Sequence, residues 1–255
     1  MRLTDTHAHL CDDAFADDLD AVLERAVAAG VATVVAVGEN LRDAEANLDL
    51  AGRHPAIVRP AAGLFPTVLD RSEAAAVETF VRHHHHRLVA IGEVGLDYWK
   101  IQDLADREVQ REIFGRFVDL AVELDLPLNV HSRSCGAQTI GLLLERGARR
   151  VQMHAFDGRV GRALPGVEAG FFFSVPPSVV RSPQKQKLVR RLPLSCLLLE
   201  TDSPVLGPDR QLRNEPANLT VALAAIAELK SISPREVELA VIENTEGLYG
   251  ERSVG

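Results

Sequence analysis

The sequence predicts a single α/β domain over residues 1–255, with eight parallel strands closed into a (β/α)8 TIM barrel. Three observations lead there. A length of 255 residues suits one barrel, which commonly takes about 250. Short β-branched or apolar runs recur eight times, as expected of strands buried on both faces. Amphipathic stretches with helical spacing lie between them, and regular strand–helix alternation is the mark of a parallel sheet. An open doubly wound sheet is the competing architecture.

In chain order the strands are expected at 2–7, 31–37, 57–63, 88–93, 128–131, 151–154, 170–175 and 196–201. After the first, residues 19–29 repeat apolar side chains at helical spacing and are closed by Gly30, a common residue just past a helix. Residues 108–124 carry Ile113, Phe114, Phe117, Leu120, Ala121 and Leu124 on one helical face. The run His83–His86, ahead of the fourth strand, reads as an exposed helix end. No linker, low-complexity tract or short repeat divides the chain.

Composition narrows the function classes. Apolar residues at 46% and charged residues at 25% are ordinary for a globular protein. A net charge of −8 argues against a bulk nucleic-acid coat protein, yet leaves room for an enzyme with a local positive site. Cys11, Cys135 and Cys196 are scattered and form no C-x-x-C pair, which suits reduced thiols inside a cell. The aspartate-rich first twenty residues do not read as a signal peptide, and no run reaches the roughly 18 apolar residues that span a bilayer. The expected location is therefore intracellular, cytoplasmic or nuclear, with no membrane association and no obligate protein partner evident.

The most informative segment is Asp5-Thr6-His7-Ala8-His9 at the end of the first strand. Side chains two apart on a strand share a face, so Asp5, His7 and His9 point together. Two imidazoles can grip a divalent metal, with Asp5 placed to orient one of them. Other metal-competent residues end later strands: Glu93 the fourth, His131 the fifth, His154 the sixth and Asp202 the eighth. Active sites of (β/α)8 enzymes gather at this carboxyl face. Six ligands exceed one tetrahedral site and suit two ions sharing a carboxylate. Glu93, with two oxygens, is the expected bridge; His7, His9 and Asp202 complete one site, His131 and His154 the other. Imidazole and carboxylate donors suit Zn²⁺ best, with Mg²⁺ or Mn²⁺ as alternatives. Two dications against Glu93 and Asp202 leave about +2, which would draw a phosphate into the pocket.

Asp5-Thr6-His7-Ala8-His9, Gly92-Glu93-Val94-Gly95-Leu96-Asp97, His131-Ser132-Arg133, His154-Ala155-Phe156 and Glu200-Thr201-Asp202-Ser203-Pro204 resemble the TatD-type deoxyribonucleases, metal-dependent hydrolases on the amidohydrolase-like barrel. The resemblance runs from about residue 3 to residue 248 and includes all six ligand positions. The glutamate at position 93 separates TatD members from superfamily cousins that bridge their metals with a modified lysine. The segment 175–189, with Leu206-Gly207-Pro208 and Arg213-Asn214-Glu215-Pro216, is similar to the third animal branch of that family. Ser134 stands where the family usually has aspartate, and Asp157 where it usually has serine.

The resemblance implies hydrolysis of phosphodiester bonds in DNA, as a 3′-to-5′ exonuclease, as an incision enzyme at abasic sites, or as both. Physical reasoning supplies a mechanism: a metal-activated water attacks, Asp202 takes its proton, and Glu93 holds the metals together, making these two the catalytic candidates. Arg133 and Arg159 are the expected phosphate contacts. Arg181, Lys185, Lys187 and Arg190 read either as a solvated helix face or as a lead-in for a strand, and Tyr98 and Trp99 as rim aromatics for a base or as packing. The alternative function is an ester or amide hydrolase, such as an aminoacyl-tRNA deacylase, because the same activated water attacks a carbonyl.

Overall fold

A computed structural model describes residues 2–250. Eight strands form one sheet in sequence order: β1 (Leu3–Ala8), β2 (Val31–Ala36), β3 (Val58–Ala62), β4 (Ala90–Asp97), β5 (Leu128–Arg133), β6 (Val151–Met153), β7 (Phe172–Val175) and β8 (Leu197–Leu199). Every neighbouring pair from β1 to β8 is parallel. The seam between β8 and β1 is thin. There Asp202 N–H donates to the His7 carbonyl at 2.9 Å and His9 N–H to the Ser203 carbonyl at 2.8 Å. The open-sheet alternative is thereby set aside in favour of the barrel.

Outside the strands lie α1 (Leu19–Ala28), α2 (Leu41–Arg53), α3 (Arg71–His84), α4 (Leu104–Leu124), α5 (Gly136–Glu145), α6 (Val160–Glu168), α7 (Pro183–Arg191), α8 (Leu219–Lys230) and α9 (Pro234–Tyr249). Their starts follow from local chemistry. Asn40, Asp70 and Asp103 accept hydrogen bonds from first-turn amides of α2, α3 and α4, and Ser233 with Glu236 forms a capping box on α9. Gly30 follows α1 in the left-handed region, at φ 90°, as the sequence suggests. His83 and His84 end α3, so the histidine run does close a helix. Among the described residues no helix is long and apolar enough to cross a membrane.

Strand alternation sorts the side chains. Val34 and Ala36, Leu128 and Val130, Val151 and Met153, and Phe173 and Val175 belong to the main apolar core under the helices. Their neighbours in sequence therefore face the barrel interior. Among these are Val35 and Val37, which cluster apart with Ala61 and Ala90, and the polar Asn129, Gln152 and Ser174. This interior polar set at mid-barrel is unusual in composition and bears directly on the site above it.

The fourth strand departs from expectation by running on to Asp97, past the position where the sequence reading ended it. Pairing with β5 slips between Ile91 and Val94, which sit opposite Leu128 and Val130, so β4 carries an extra residue there. Ile91 and Val94 both join the outer core. The bulge resets the alternation and leaves Glu93 facing inward. Beyond it, Gly95 sits at φ 152°, and a Cβ there would lie 2.0 Å from the His131 carbonyl oxygen. That close approach lets β4 pair with β5 as far as Arg133. Replacing Gly95 by Ala is expected to destabilise the protein by about 3 kcal/mol, measured as a lowered urea midpoint; an unchanged midpoint would show that the two strands can part without cost.

Candidate metal centre

The carboxyl mouth of the barrel holds a pocket of about 500 Å³, with His9, Glu93, His131, His154 and Asp202 in its lining and His7 fully buried beneath. All six side chains singled out from the sequence meet here. His7 Nε2 lies 3.2 Å from His9 Nε2, 3.6 Å from Glu93 Oε2 and 3.5 Å from Asp202 Oδ1. His9 Nε2 lies 3.4 Å from each of the same two oxygens. Donors at zinc bond length in a tetrahedron stand about 3.3 Å apart, so this spacing fits one ion. The other Glu93 oxygen, Oε1, is 2.6 Å from His131 Nδ1 and 3.5 Å from His154 Nε2. Three sets of donors are close enough to share an ion: His7, His9 and Glu93; Glu93, His131 and His154; and His7, His154 and Asp202. The last set ties His154 to the first group more closely than the sequence partition implied, and its ring stacks on His7 with centroids 3.7 Å apart and 7° between planes.

Positive charge is what this cluster calls for. Burial opposes ionisation of Glu93, but the imidazoles of His154 and His131 outweigh it and lower its pKa. Asp202, also buried, is held well below the ordinary carboxyl range by His154 and by hydrogen bonds with His7 and His9. In turn, burial works against a charged His7, yet Asp202 and Glu93 raise its pKa to about 10. For His131 the same contest, settled by Asp97 and Glu93, ends at about 9. A dication can replace those protons, and the mixed nitrogen and oxygen donors suit zinc or manganese.

Each imidazole is also held from behind. His7 Nδ1 donates to Asn129 Oδ1 at 2.8 Å, His154 Nδ1 to Glu200 Oε2 at 3.0 Å, and His131 Nε2 to Asp97 Oδ2 at 3.1 Å. His9 Nδ1 faces Glu39 at 3.8 Å. Such partners fix which ring nitrogen points at the centre. Asp97, Asn129 and Glu200 were not singled out in the sequence as site residues. A usable signal existed, since each lies two residues or a small even number along a strand from a proposed ligand. Asp5 does something other than expected. Its carboxyl accepts from Thr201 N–H at 2.8 Å and from Thr201 Oγ1 at 2.5 Å, and touches the His7 backbone rather than its ring. Asp5 thus latches β1 to the end of β8, where the ladder is thin, and burial raises its pKa to about 7.

The buried acids also revise the charge count. Asp97 and Glu200 join Glu93 and Asp202 around the cluster. Four carboxylates would balance two dications, so the surplus of about +2 expected from two acids would disappear. Two cationic side chains, Arg133 and Lys185, line the pocket walls together with Glu39 and Asp157. Arg133 lies in the pocket wall with its guanidinium 3.7 Å from the Trp99 ring centre. Lys185, read in the sequence as part of a basic helix face, instead lines the pocket and donates to the Ala155 carbonyl at 2.8 Å; burial lowers its pKa. Arg159 is not brought to this pocket; it lines a neighbouring depression with Asp157 and Arg162. Arg181 donates to the Gly207 carbonyl, Lys187 and Arg190 are exposed, and Tyr98 packs under Arg107. The two positions that depart from the family pattern meet: Ser134 N–H lies 3.2 Å from both carboxylate oxygens of Asp157.

A barrel whose carboxyl mouth gathers four imidazoles and acidic side chains with metal-ligand spacing has the architecture of the metal-dependent hydrolases. The model of the TatD related DNase family matches residues 4–250, and the chain belongs to that family. It is 44% identical over 263 residues to the human deoxyribonuclease TATDN3, covering 98% of this chain and 95% of that protein. Identity with a metal-dependent hydrolase named TatD from Mycobacterium tuberculosis is 35% over 259 residues, covering 97% and 98%. Among solved structures, the TatD homologue YJJV of Escherichia coli superposes with a TM-score of 0.90 at 27% identity, covering 98% of this chain and 99% of that one.

Glu200 offers a test of ring orientation. Its carboxylate accepts from Ser174 Oγ, from His154 Nδ1 and from Ala155 N–H. Glutamine brings one acceptor oxygen and a competing donor. Glu200→Gln should weaken Mn²⁺ binding about 10- to 100-fold by calorimetry; unchanged affinity would mean that His154 is oriented by other contacts.

Proposed function

We propose that the chain hydrolyses phosphodiester bonds in DNA, as a 3′-to-5′ exonuclease, as an incision enzyme at abasic sites, or as both, using two divalent metal ions, zinc in first place with magnesium or manganese as alternatives. The observation that carries this reading is the division of Glu93, whose Oε2 faces His7 and His9 while Oε1 faces His131 and His154. A single carboxylate reaching two imidazole pairs is the arrangement that a shared metal bridge needs. The human and other vertebrate relatives bear deoxyribonuclease names, which supports DNA as the substrate class.

In this proposal His7, His9, Glu93, His131, His154 and Asp202 hold the ions, which when bound supply Lewis acidity and bring water's pKa near 7. The protein's own groups then do the rest. Asp202, beside His7 and His9, is placed to accept the proton of the attacking water. Arg133 stacks on Trp99 and would offer its N–H edge to a phosphate oxygen. Lys185, which lines the same pocket, would contribute a second positive group, held by its bond to Ala155. Because the buried acids offset the metals, these two cations decide whether an anion enters. Half-exposed Trp99 offers a flat face at the rim for a base, and Arg159 in the next depression guides the strand past the pocket.

Metal-loaded protein should be assayed in parallel on single-stranded DNA, on a duplex with an abasic site and on an aminoacyl ester. Release of mononucleotides from the 3′ end, incision at the abasic site, or both, is expected, and Asp202→Asn should abolish whichever is seen. Turnover of the ester with DNA left intact would replace this reading with that of an ester or amide hydrolase. Arg133→Ala should raise KM for DNA about tenfold, as expected for loss of a partly exposed charged hydrogen bond, with metal content unchanged by elemental analysis. Loss of metal from that variant would make Arg133 a support of the centre instead of a phosphate contact.

A further inference from the structure

The last residue of α9, Tyr249, does not line the pocket. It sits at the opposite, amino-terminal mouth of the barrel, where Arg150, just ahead of β6, donates to the Leu248 carbonyl at 2.7 and 3.2 Å. The Tyr249 ring packs on the interior cluster of Val35, Val37, Ala61 and Ala90. Its hydroxyl points up the barrel axis into the polar layer formed by Asn129, Gln152 and Ser174.

Two hydrogen-bonded arms rise from that hydroxyl. On one side Asn129 Nδ2 donates to Tyr249 Oη at 3.2 Å and to the Thr6 carbonyl at 2.8 Å. A carbonyl can only accept, so the amide is oriented with Oδ1 toward His7, which must donate through Nδ1. On the other side Tyr249 Oη donates to Gln152 Oε1 at 2.6 Å, and Gln152 Nε2 donates to Ser174 Oγ at 2.9 Å. Ser174 Oγ then donates to Glu200 Oε2 at 2.6 Å, the oxygen that takes the proton of His154 Nδ1. Each donor in the two arms meets an acceptor, and the direction of every bond follows from the ones before it. A hydroxyl is the one side-chain group that can accept from Asn129 and donate to Gln152 at a single atom. Both arms end on imidazoles that stack face to face 3.7 Å apart.

We propose that Tyr249 is a positioning residue for the metal centre. Through its hydroxyl, α9 holds His7 and His154 jointly in the form with hydrogen on Nδ1, so that both Nε2 lone pairs face Glu93 and Asp202. This rests on the metal reading given above and extends it to a residue at the other end of the barrel. The inference needs no contact between Tyr249 and metal or substrate. Tyr249→Phe keeps the ring that fills the mouth and removes only the atom that joins the arms.

The test compares wild type and Tyr249→Phe, stripped of metal and titrated with Mn²⁺ by calorimetry, alongside ¹⁵N NMR of the histidine rings in the zinc-loaded proteins. A partner in direct contact with a ligand commonly alters metal affinity 10- to 100-fold; one step further out, a loss of about three- to tenfold is expected. The ring nitrogens of His7 and His154 should report Nδ1–H in wild type and shift together in the variant, and kcat should fall with KM unchanged. Mn²⁺ affinity and ring signals identical to wild type would overturn the positioning role. So would a wild-type spectrum with His7 or His154 protonated on Nε2, a result that requires no variant. Wild-type protein that takes up neither Mn²⁺ nor Zn²⁺ would instead remove the metal reading itself, and that outcome is read before any variant is made.

Discussion

Two buried carboxylates, Glu93 and Asp202, impose the constraint from which the rest of the centre follows. An uncompensated ion in a protein interior costs several kcal/mol, so neither can be buried without positive charge beside it. Four imidazoles supply the first answer, and the acids raise the pKa values of His7, His9 and His131. Protons are a poor permanent answer, because His7 and His154 lie ring on ring and two stacked imidazolium cations repel. Divalent ions satisfy the acids and leave the rings neutral. The orienting groups behind each ring, Asn129, Glu200, Asp97 and Glu39, are then required to keep the correct nitrogen turned inward.

The barrel makes this dense arrangement possible. Strands from separate parts of the chain deliver their side chains to one mouth, with the apolar outer faces sealed under helices. The interior is not uniformly apolar. Its polar middle layer is satisfied by mutual hydrogen bonds, which is the condition under which such groups are tolerated at depth. Asp5 and Thr201 extend the same principle to the closing seam, where side chains replace missing ladder bonds.

Much of this was legible in the sequence. Eight strand-like runs and their helical spacers gave the barrel, since both faces of each strand had to be apolar or end in chemistry. The six metal-competent residues were legible because each was expected near the carboxyl end of a strand, although β4 and β5 run on past Glu93 and His131. Glu93 is an instructive case: its identity was readable, but its inward direction depends on a bulge that alternation alone does not announce. The fourth strand was expected to end at Glu93, whereas Gly92 and Gly95 permit its close approach to β5 and β4 runs on to Asp97. Asp5 was assigned by alternation to the wrong partner, because the seam's need for hydrogen bonds is a tertiary matter. Lys185 and Arg159 exchanged importance for the same reason. Which loop residue folds over a pocket depends on packing between distant segments, and Lys185 reaches the pocket by way of the Ala155 carbonyl.

The thin seam has one more consequence. His7 stands on the first strand, His9 just past its end and Asp202 beyond the last strand, with Asp202 N–H on the His7 carbonyl between them. Any cation gripped by these three fastens the beginning of the cylinder to its end, acting as a clasp across the weakest stave joint. Part of its binding energy would go into cylinder closure, so occupancy at the mouth and integrity of the whole wall would rise and fall as one quantity.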